Sequence, residues 1–123
     1  MTTAYWMILV AGCLPYWPTI VSKWRRNYDN AMPRAGVDQL RPRQQRAYWA
    51  QLNAFEAFPL FAAAVIVAHL AQAPQPWVDG LAVTFVGLRI GYTLAYIYDR
   101  DRLRSLLWFA GFLCVIGLFV AGA

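Results

Sequence analysis

Residues 46–70 read RAYWAQLNAFEAFPLFAAAVIVAHL, and this stretch decides the fold. Its length and apolar character predict a helix that crosses the ~30 Å hydrocarbon layer of a membrane, which needs roughly 20 residues. An amide, Asn53, and a carboxylate, Glu56, nevertheless lie inside it. A charge at the centre of a bilayer costs on the order of 3 kcal/mol by insertion scales, so we do not expect Glu56 to face lipid.

The same apolar character extends over the rest of the chain. Of the 123 residues, 60% are hydrophobic and only 14% are charged. Residues 1–22 and 105–123 carry no charged side chain, residues 47–78 carry only Glu56, and residues 80–98 carry only Arg89. These four stretches predict four membrane spans. We therefore expect an all-α integral membrane protein with one domain, residues 1–123, folded as an up-down four-helix bundle whose first span is retained.

The basic residues concentrate in two connections. Ten of the eleven Lys and Arg residues lie around the first and third loops, whereas the middle loop, AQAPQPWV, has none. This positive-inside pattern predicts that loops one and three are cytoplasmic and that both termini lie outside, in the cell inner membrane. Contact with anionic lipid accounts for the net charge of +5, so we expect no nucleic-acid partner. Two separate cysteines and one histidine predict no metal site.

Polar side chains inside the second and third spans form stripes. At about 100° per residue, one arc of the second span contains Arg46, Trp49, Asn53 and Glu56. One arc of the third span contains Phe85, Arg89, Tyr92, Tyr96 and Asp99. We expect Glu56 and Arg89 to pair, directly or through Asn53 and the tyrosines, on an inward or intersubunit face. Such contacts are typical both of functional sites and of simple adhesion between helices.

The segment RAYWAQLNAFEAFPLF resembles the signature of the MAPEG family, the membrane-associated proteins of eicosanoid and glutathione metabolism. That signature is roughly R-A-x-x-A-[HQ]-x-N-x-x-E followed by aromatic-Pro-x-Phe. The likeness is closest to the leukotriene-conjugating and microsomal glutathione transferase branch, in a bacterial-type member. The segments VSKWRRNY, RIGYTLAY and RSLLW match further parts of the family in order. Two positions depart from it: Trp49 stands where active eukaryotic members commonly have an arginine, and Ala57 replaces a common aromatic residue.

The resemblance implies a homotrimer of four-helix bundles that binds glutathione, as a co-substrate, between adjacent subunits. The glutathione ligands that it implies are Arg25, Arg26, Arg46, Gln51, Asn53, Glu56, Arg89, Tyr92 and Tyr96. In this assignment Glu56 suits the ammonium group of the tripeptide and Asn53 its amides, and a carboxylate suits Arg25 or Arg26, and Arg46. The implied catalytic residues are Arg104 and Ser105, with Arg104 favouring the thiolate. Arg102 is the alternative arginine, and Arg104 is preferred because Ser105 and Trp108 follow it as in the family.

Three functions remain open from the residues. The leading prediction is a glutathione-dependent membrane transferase or peroxidase that acts on lipophilic electrophiles, because the thiolate is the nucleophile in such reactions. The alternatives are a non-catalytic membrane scaffold or family member without transferase activity, and a small transporter, for which no inverted repeat is present. The expected partners are further copies of the chain, membrane lipid and a lipophilic small-molecule substrate.

Overall fold

The computed structural model describes residues 1–25 and 28–123, and within these ranges every regular element is a helix. Four helical stretches there are long and apolar enough to cross a membrane, namely Thr3–Lys23, Pro42–Leu70, Gln75–Ile97 and Asp101–Ala121. The predicted all-α fold with four membrane spans is therefore confirmed.

The first span consists of two helices, α1 (Thr3–Cys13) and α2 (Tyr16–Lys23). Pro15 lies at the break between them. A proline has no backbone N–H to donate, and its ring clashes with the carbonyl four residues earlier, so it interrupts a helix. Thr19 Oγ1 donates to the Pro15 carbonyl oxygen at 2.9 Å, which ties the start of α2 to its own first turn. The first span is therefore divided into two helices near Pro15, and α2 continues towards the first loop.

The second span is α3 (Pro42–Leu70), the longest helix at 29 residues. At 1.5 Å per residue it is about 43 Å long, which exceeds the ~30 Å hydrocarbon layer. Its first turns, which carry Arg43 and Arg46, therefore extend beyond that layer. Pro42 occupies the first helical position, where its fixed φ is favourable. Pro59 lies inside the helix, which continues past it to Leu70.

Short connections join α3 to α4 (Gln75–Ile97) and α4 to α5 (Asp101–Ala121). Each connection contains a residue in the left-handed conformation, Gln72 with φ 56° and Asp99 with φ 60°. After Asp99, the Arg100 N–H donates to the Ala95 carbonyl at 2.8 Å, a bond that commonly closes a helix C-terminus. Such short connections place consecutive helices antiparallel. Asp99 was expected on the polar stripe of the third span, but it lies in this turn beyond the end of α4.

Small side chains and stacked rings form the core. On α3 the buried small residues are Ala47, Ala50, Ala54, Ala64 and Ala68, and they allow neighbouring helices to approach closely. Phe61 on α3 stacks on Phe85 of α4, with ring centroids 4.1 Å apart. Helix α4 packs along α5, α3 contacts α2, α4 and α5, and α1 contacts α3 and α4. The result is one bundle in which α3 contacts helices from every other span.

The two ends of the bundle differ in charge. At one end Arg46 Nε donates to the Ile97 carbonyl at 3.1 Å, which joins the start of α3 to the end of α4. At the other end the Ala4 N–H donates to Asp79 Oδ1 at 2.8 Å, which joins the start of α1 to the start of α4. The first and third connections, with their basic residues, therefore share one end of the molecule, as the predicted topology requires.

Candidate functional site

The centre of the candidate site is a contact between α3 and α4. Arg89 Nη2 donates to Asn53 Oδ1 at 2.6 Å, and Arg89 is only 4% exposed. A buried guanidinium is costly without a partner, and a charge-assisted hydrogen bond is among the strongest compensations. This bond joins the two polar stripes, but among the described residues no hydrogen bond or ion pair links Glu56 to Arg89 or to Asn53, so the expected pairing of Glu56 with Arg89 is not observed there. Glu56 follows one turn later on α3, and its side chain is exposed in the single chain.

Two tyrosines of α4 extend the site from Arg89 towards α5. The Arg89 guanidinium carbon lies 4.1 Å from the centroid of the Tyr92 ring. Tyr92 and Tyr96 meet edge to face with centroids 5.8 Å apart. The guanidinium carbon of Arg104, on α5, lies 4.4 Å from the Tyr96 centroid. A cation within about 6 Å of an aromatic face is attracted to it, so both guanidinium groups are held along one aromatic wall.

Two adjoining pockets border this wall. The first, of about 450 Å³, is lined by Trp49, Leu52, Asn53, Glu56, Tyr92 and Tyr96. The second, of about 290 Å³, shares Asn53 and Glu56 with the first and continues among apolar side chains of α3, α4 and α5. A carboxylate, an amide and aromatic walls thus meet at the junction of a polar and an apolar pocket. Such an arrangement can hold a polar molecule beside an apolar one.

The structure separates the predicted ligand set into two groups. Arg25 and Gln51 line a different cleft, of about 230 Å³, together with Ser22, Lys23, Arg34 and Tyr48 among others. Gln51 lies about 160° around the helix axis from Asn53, so the two groups occupy opposite sides of α3. Arg26, the other predicted ligand from the first span, lies outside the described residues.

The remaining predicted residues lie at the basic end of the bundle. Arg46 is held by its hydrogen bond to the Ile97 carbonyl. Ser105 and Arg102 are exposed, whereas Arg104 is half-buried against Tyr96. Of the two alternative arginines, Arg104 is therefore the one that contacts a residue lining the polar pocket.

A model of the MAPEG family matches residues 3–123. The chain belongs to this family. No match was found among curated proteins or among solved structures. Membership and the four apolar helices make the chain an integral membrane protein, connected in general terms with glutathione or eicosanoid metabolism. MAPEG proteins generally use glutathione and are typically oligomeric.

Phe112 borders the site but lies in none of the family segments named above, and Trp108, the last residue of RSLLW, was given no place in the site there. Trp108 and Phe112 of α5 stack with centroids 5.5 Å apart, and both line the apolar pocket. The signal that could have found them is periodicity. Arg104, Trp108 and Phe112 recur every four residues, which places them on one face of a helix. Tyr48 accompanies Gln51 in the basic cleft for the same reason, since three residues also return to one face.

Proposed function

We propose that this MAPEG protein is a glutathione-dependent transferase or peroxidase that acts on lipophilic electrophiles. The observation that carries the proposal is the position of Glu56 beside the Asn53–Arg89 contact, within a membrane-spanning helix. A carboxylate is costly there in contact with lipid, by on the order of 3 kcal/mol. Because Glu56 is exposed in the single chain, a neighbouring subunit and a cationic ligand group are what would remove that cost.

The chemistry of the pocket matches the amino-acid end of glutathione. Glu56 would accept hydrogen bonds from the γ-glutamyl ammonium, a pairing stronger than one between neutral groups. The Asn53 side chain would bond an amide of the tripeptide, alongside its contact with Arg89. The Tyr96 hydroxyl and the Arg46 guanidinium, which lie nearer the basic end, would take further polar groups of the ligand.

The opposite placement of Gln51 and Asn53 on α3 supports a site between subunits. A single molecule of glutathione does not reach both sides of a helix that, with side chains, is roughly 10 Å thick. If the basic cleft of one subunit faces the polar pocket of the next, Arg25 and Gln51 of that neighbour would bind the glycyl carboxylate. A closed ring in which every such cleft meets a polar pocket is a heterologous assembly. The proposed ring is a homotrimer.

Arg104 is the proposed activator of the thiol, with Ser105 as an additional donor. A thiol has a pKa near 8.5, so only a few per cent is ionised at neutral pH. A guanidinium close to the sulfur lowers that pKa by about a unit or more, since it stabilises the thiolate. The contact of Arg104 with the Tyr96 ring supports this role, because it holds the guanidinium at the wall of the polar pocket.

The charge distribution supports a site open to the cytoplasm. Arg46 and Arg104 belong to the basic end of the bundle, which the positive-inside pattern places on the cytoplasmic side. Glutathione keeps thiols reduced in that compartment. In the proposed orientation both termini lie outside in a cell inner membrane. The pocket would then open to the cytoplasm, the compartment that contains glutathione.

Isothermal titration of detergent-purified protein with glutathione tests the proposal. Glu56→Gln keeps the volume of the side chain and removes its charge. We expect binding to weaken by about 1.5–3 kcal/mol, the range of hydrogen bonds to charged groups. Asp38→Asn removes one charge from an exposed position and should leave binding unchanged. Wild-type protein that binds no glutathione, or Glu56→Gln protein that binds it normally, would overturn the assignment.

A membrane scaffold is the second candidate, and the Arg89–Asn53 bond also supports it. This bond could serve only to hold α3 against α4. In that case wild-type protein would bind no glutathione, and Glu56→Gln would change the proportion of assembled protein instead. Native mass spectrometry of the same samples separates the two candidates.

A further inference from the structure

One face of α4, called the open face here, is exposed along the whole helix. Its residues recur at the helical repeat and include Trp77, Val83, Gly87, Ile90, Leu94 and Tyr98. At about 100° per residue, the middle of the open face lies roughly 165° around the helix axis from Arg89, Tyr92 and Tyr96 of the candidate site. A neighbouring subunit that covers the polar pocket would therefore leave the open face in contact with lipid.

The two ends of the open face carry aromatic side chains. Trp77 and Tyr98 are both exposed, and they are 21 positions apart in the chain. At 1.5 Å per residue this corresponds to about 31 Å, which matches the ~30 Å hydrocarbon layer. Tryptophan and tyrosine are enriched at both membrane–water interfaces. Tyr98, at the basic end of the bundle, therefore lies at the level of the cytoplasmic headgroups in the orientation that the positive-inside pattern predicts.

Two arginines accompany Tyr98 at this level. The Arg43 guanidinium carbon, from the start of α3, lies 5.3 Å from the centroid of the Tyr98 ring, within the range of a cation–π contact. Among residues 1–25 and 28–123, Arg43 makes no hydrogen bond or ion pair, so its N–H groups remain available to a ligand. Arg100 follows Tyr98 by two residues, and its side chain is exposed.

The charges and shape of this surface suit an anionic lipid. A guanidinium binds a phosphate group through two parallel hydrogen bonds. The carboxylates of Asp99 and Asp101 are exposed on the same turn, but among the described residues neither forms an ion pair with Arg43 or Arg100. Below the headgroup level the open face is apolar. A methyl group added at Gly87 would meet no atom within 4 Å, so the face has space for an acyl chain there.

We propose that Arg43, Tyr98 and Arg100 bind the phosphate group of an anionic phospholipid from the cytoplasmic leaflet. Its acyl chain lies along Leu94 and Ile90 on the open face. The bound lipid bridges the start of α3 and the end of α4, beside the hydrogen bond from Arg46 to the Ile97 carbonyl that also joins them. This proposal goes beyond the glutathione function and does not depend on it.

Native mass spectrometry of the full-length protein in mild detergent tests the proposal. The protein is titrated with dioleoyl phosphatidylglycerol or with the phosphatidylcholine that has the same chains. We expect at least fivefold tighter binding of the anionic lipid, because the choline ammonium is repelled by the two guanidinium groups. Arg43→Gln and Tyr98→Leu should each weaken binding of phosphatidylglycerol at least threefold. Tyr98→Phe keeps the ring under the guanidinium and should retain the affinity of the wild type.

A matched control separates this site from general attraction to a basic surface. Arg102→Gln removes one positive charge from an exposed position at the same end of the bundle and should leave binding of phosphatidylglycerol within about twofold of the wild type. Equal losses in Arg43→Gln and Arg102→Gln would overturn the proposal, since any arginine at this end would then serve. Both Arg43 and Tyr98 are exposed, so we expect their variants to fold.

Two further outcomes would assign the surface to a different occupant. Displacement of the lipid by millimolar inorganic phosphate would show that the arginines bind a free anion and that the open face contributes nothing. Binding of phosphatidylglycerol to separated chains but not to assembled protein would show that another copy of the chain covers the open face. Either result overturns the lipid site. Retention of the lipid by the assembled protein in the presence of phosphate supports it.

Discussion

Breaking the hydrogen bond between Asn53 and Arg89 should destabilise the fold by a measurable and specific amount. Arg89→Met keeps the length of the apolar stem but removes every donor, so Asn53 Oδ1 loses its partner. Side-chain hydrogen bonds between membrane helices contribute about 0.6 kcal/mol on average, whereas bonds to charged groups contribute about 1.5–3 kcal/mol. With a distance of 2.6 Å and 4% exposure of Arg89, we expect a coupling of about 2 kcal/mol.

A double-mutant cycle measures this coupling. The free energy of unfolding would be determined by titration with sodium dodecyl sulfate in mixed micelles, for the wild type, Arg89→Met, Asn53→Leu and the double variant. The coupling is the part of the double effect that the two single effects do not explain. A value near 2 kcal/mol corresponds to about a 30-fold change in the folding equilibrium.

The same cycle has a built-in control and a clear refutation. Thr84→Val lies on α4 at an exposed position, where the Thr84 hydroxyl bonds only within its own helix, to the Gly80 carbonyl. Combined with Arg89→Met it should show additive effects. A coupling below about 0.5 kcal/mol between Arg89 and Asn53 would refute the argument that this bond organises the junction of α3 and α4.

Three further outcomes follow from the proposed assembly and chemistry. Native mass spectrometry in mild detergent should give a species of three subunits, and a monomer that still binds glutathione would contradict a site between subunits. Reporter fusions at both termini should place each terminus outside the cytoplasm, so a cytoplasmic C-terminus would exclude the proposed orientation. Arg104→Ala should raise the pKa of bound glutathione thiol by about one unit, seen as less absorbance near 240 nm at neutral pH, and slow conjugation while glutathione still binds. The same measurement on Arg102→Ala should match the wild type. A normal thiolate signal in Arg104→Ala would show that Arg104 does not activate the thiol and serves only as a membrane anchor.

The number of membrane spans was predicted correctly, because it depends only on where apolar and charged residues lie along the chain. Uninterrupted apolar stretches determine how many spans form, because the hydrocarbon layer accepts only helices with few charges. The position of the break at Pro15 was not predicted, since a proline within a span is tolerated in some helices, as Pro59 is in α3. Asp99 illustrates a second limit. Periodicity placed it on the α4 stripe, but helix ends are decided by local capping, and Asp99 adopts the left-handed conformation that closes α4.

The candidate site was predictable to the extent that its residues lie on one face of one helix. The arc that contains Asn53 and Glu56 led directly to the pocket that both residues line. The family signature, by contrast, contains Gln51 and Asn53 only two positions apart, although the two residues line pockets on opposite sides of α3. A motif records which residues are shared by a family but carries no information on which of them line the same pocket. The helical repeat alone separates the two residues by about 160°, but the two pockets that they line are visible only in the folded structure.

This division of α3 has a thermodynamic consequence for how assembly and ligand binding are coupled. If glutathione contacts Asn53 and Glu56 of one subunit and Gln51 of the next, it binds the assembled protein and not the separated chains. A ligand that binds only one state stabilises that state by about 2.7 kcal/mol per site when it is present at 100 times its dissociation constant. With three equivalent sites in the proposed ring, saturation would favour the trimer by several kcal/mol. Under this proposal Glu56 would be covered most effectively when the co-substrate is bound, and the carboxylate that is costly in a single chain would be the group through which glutathione holds the subunits together.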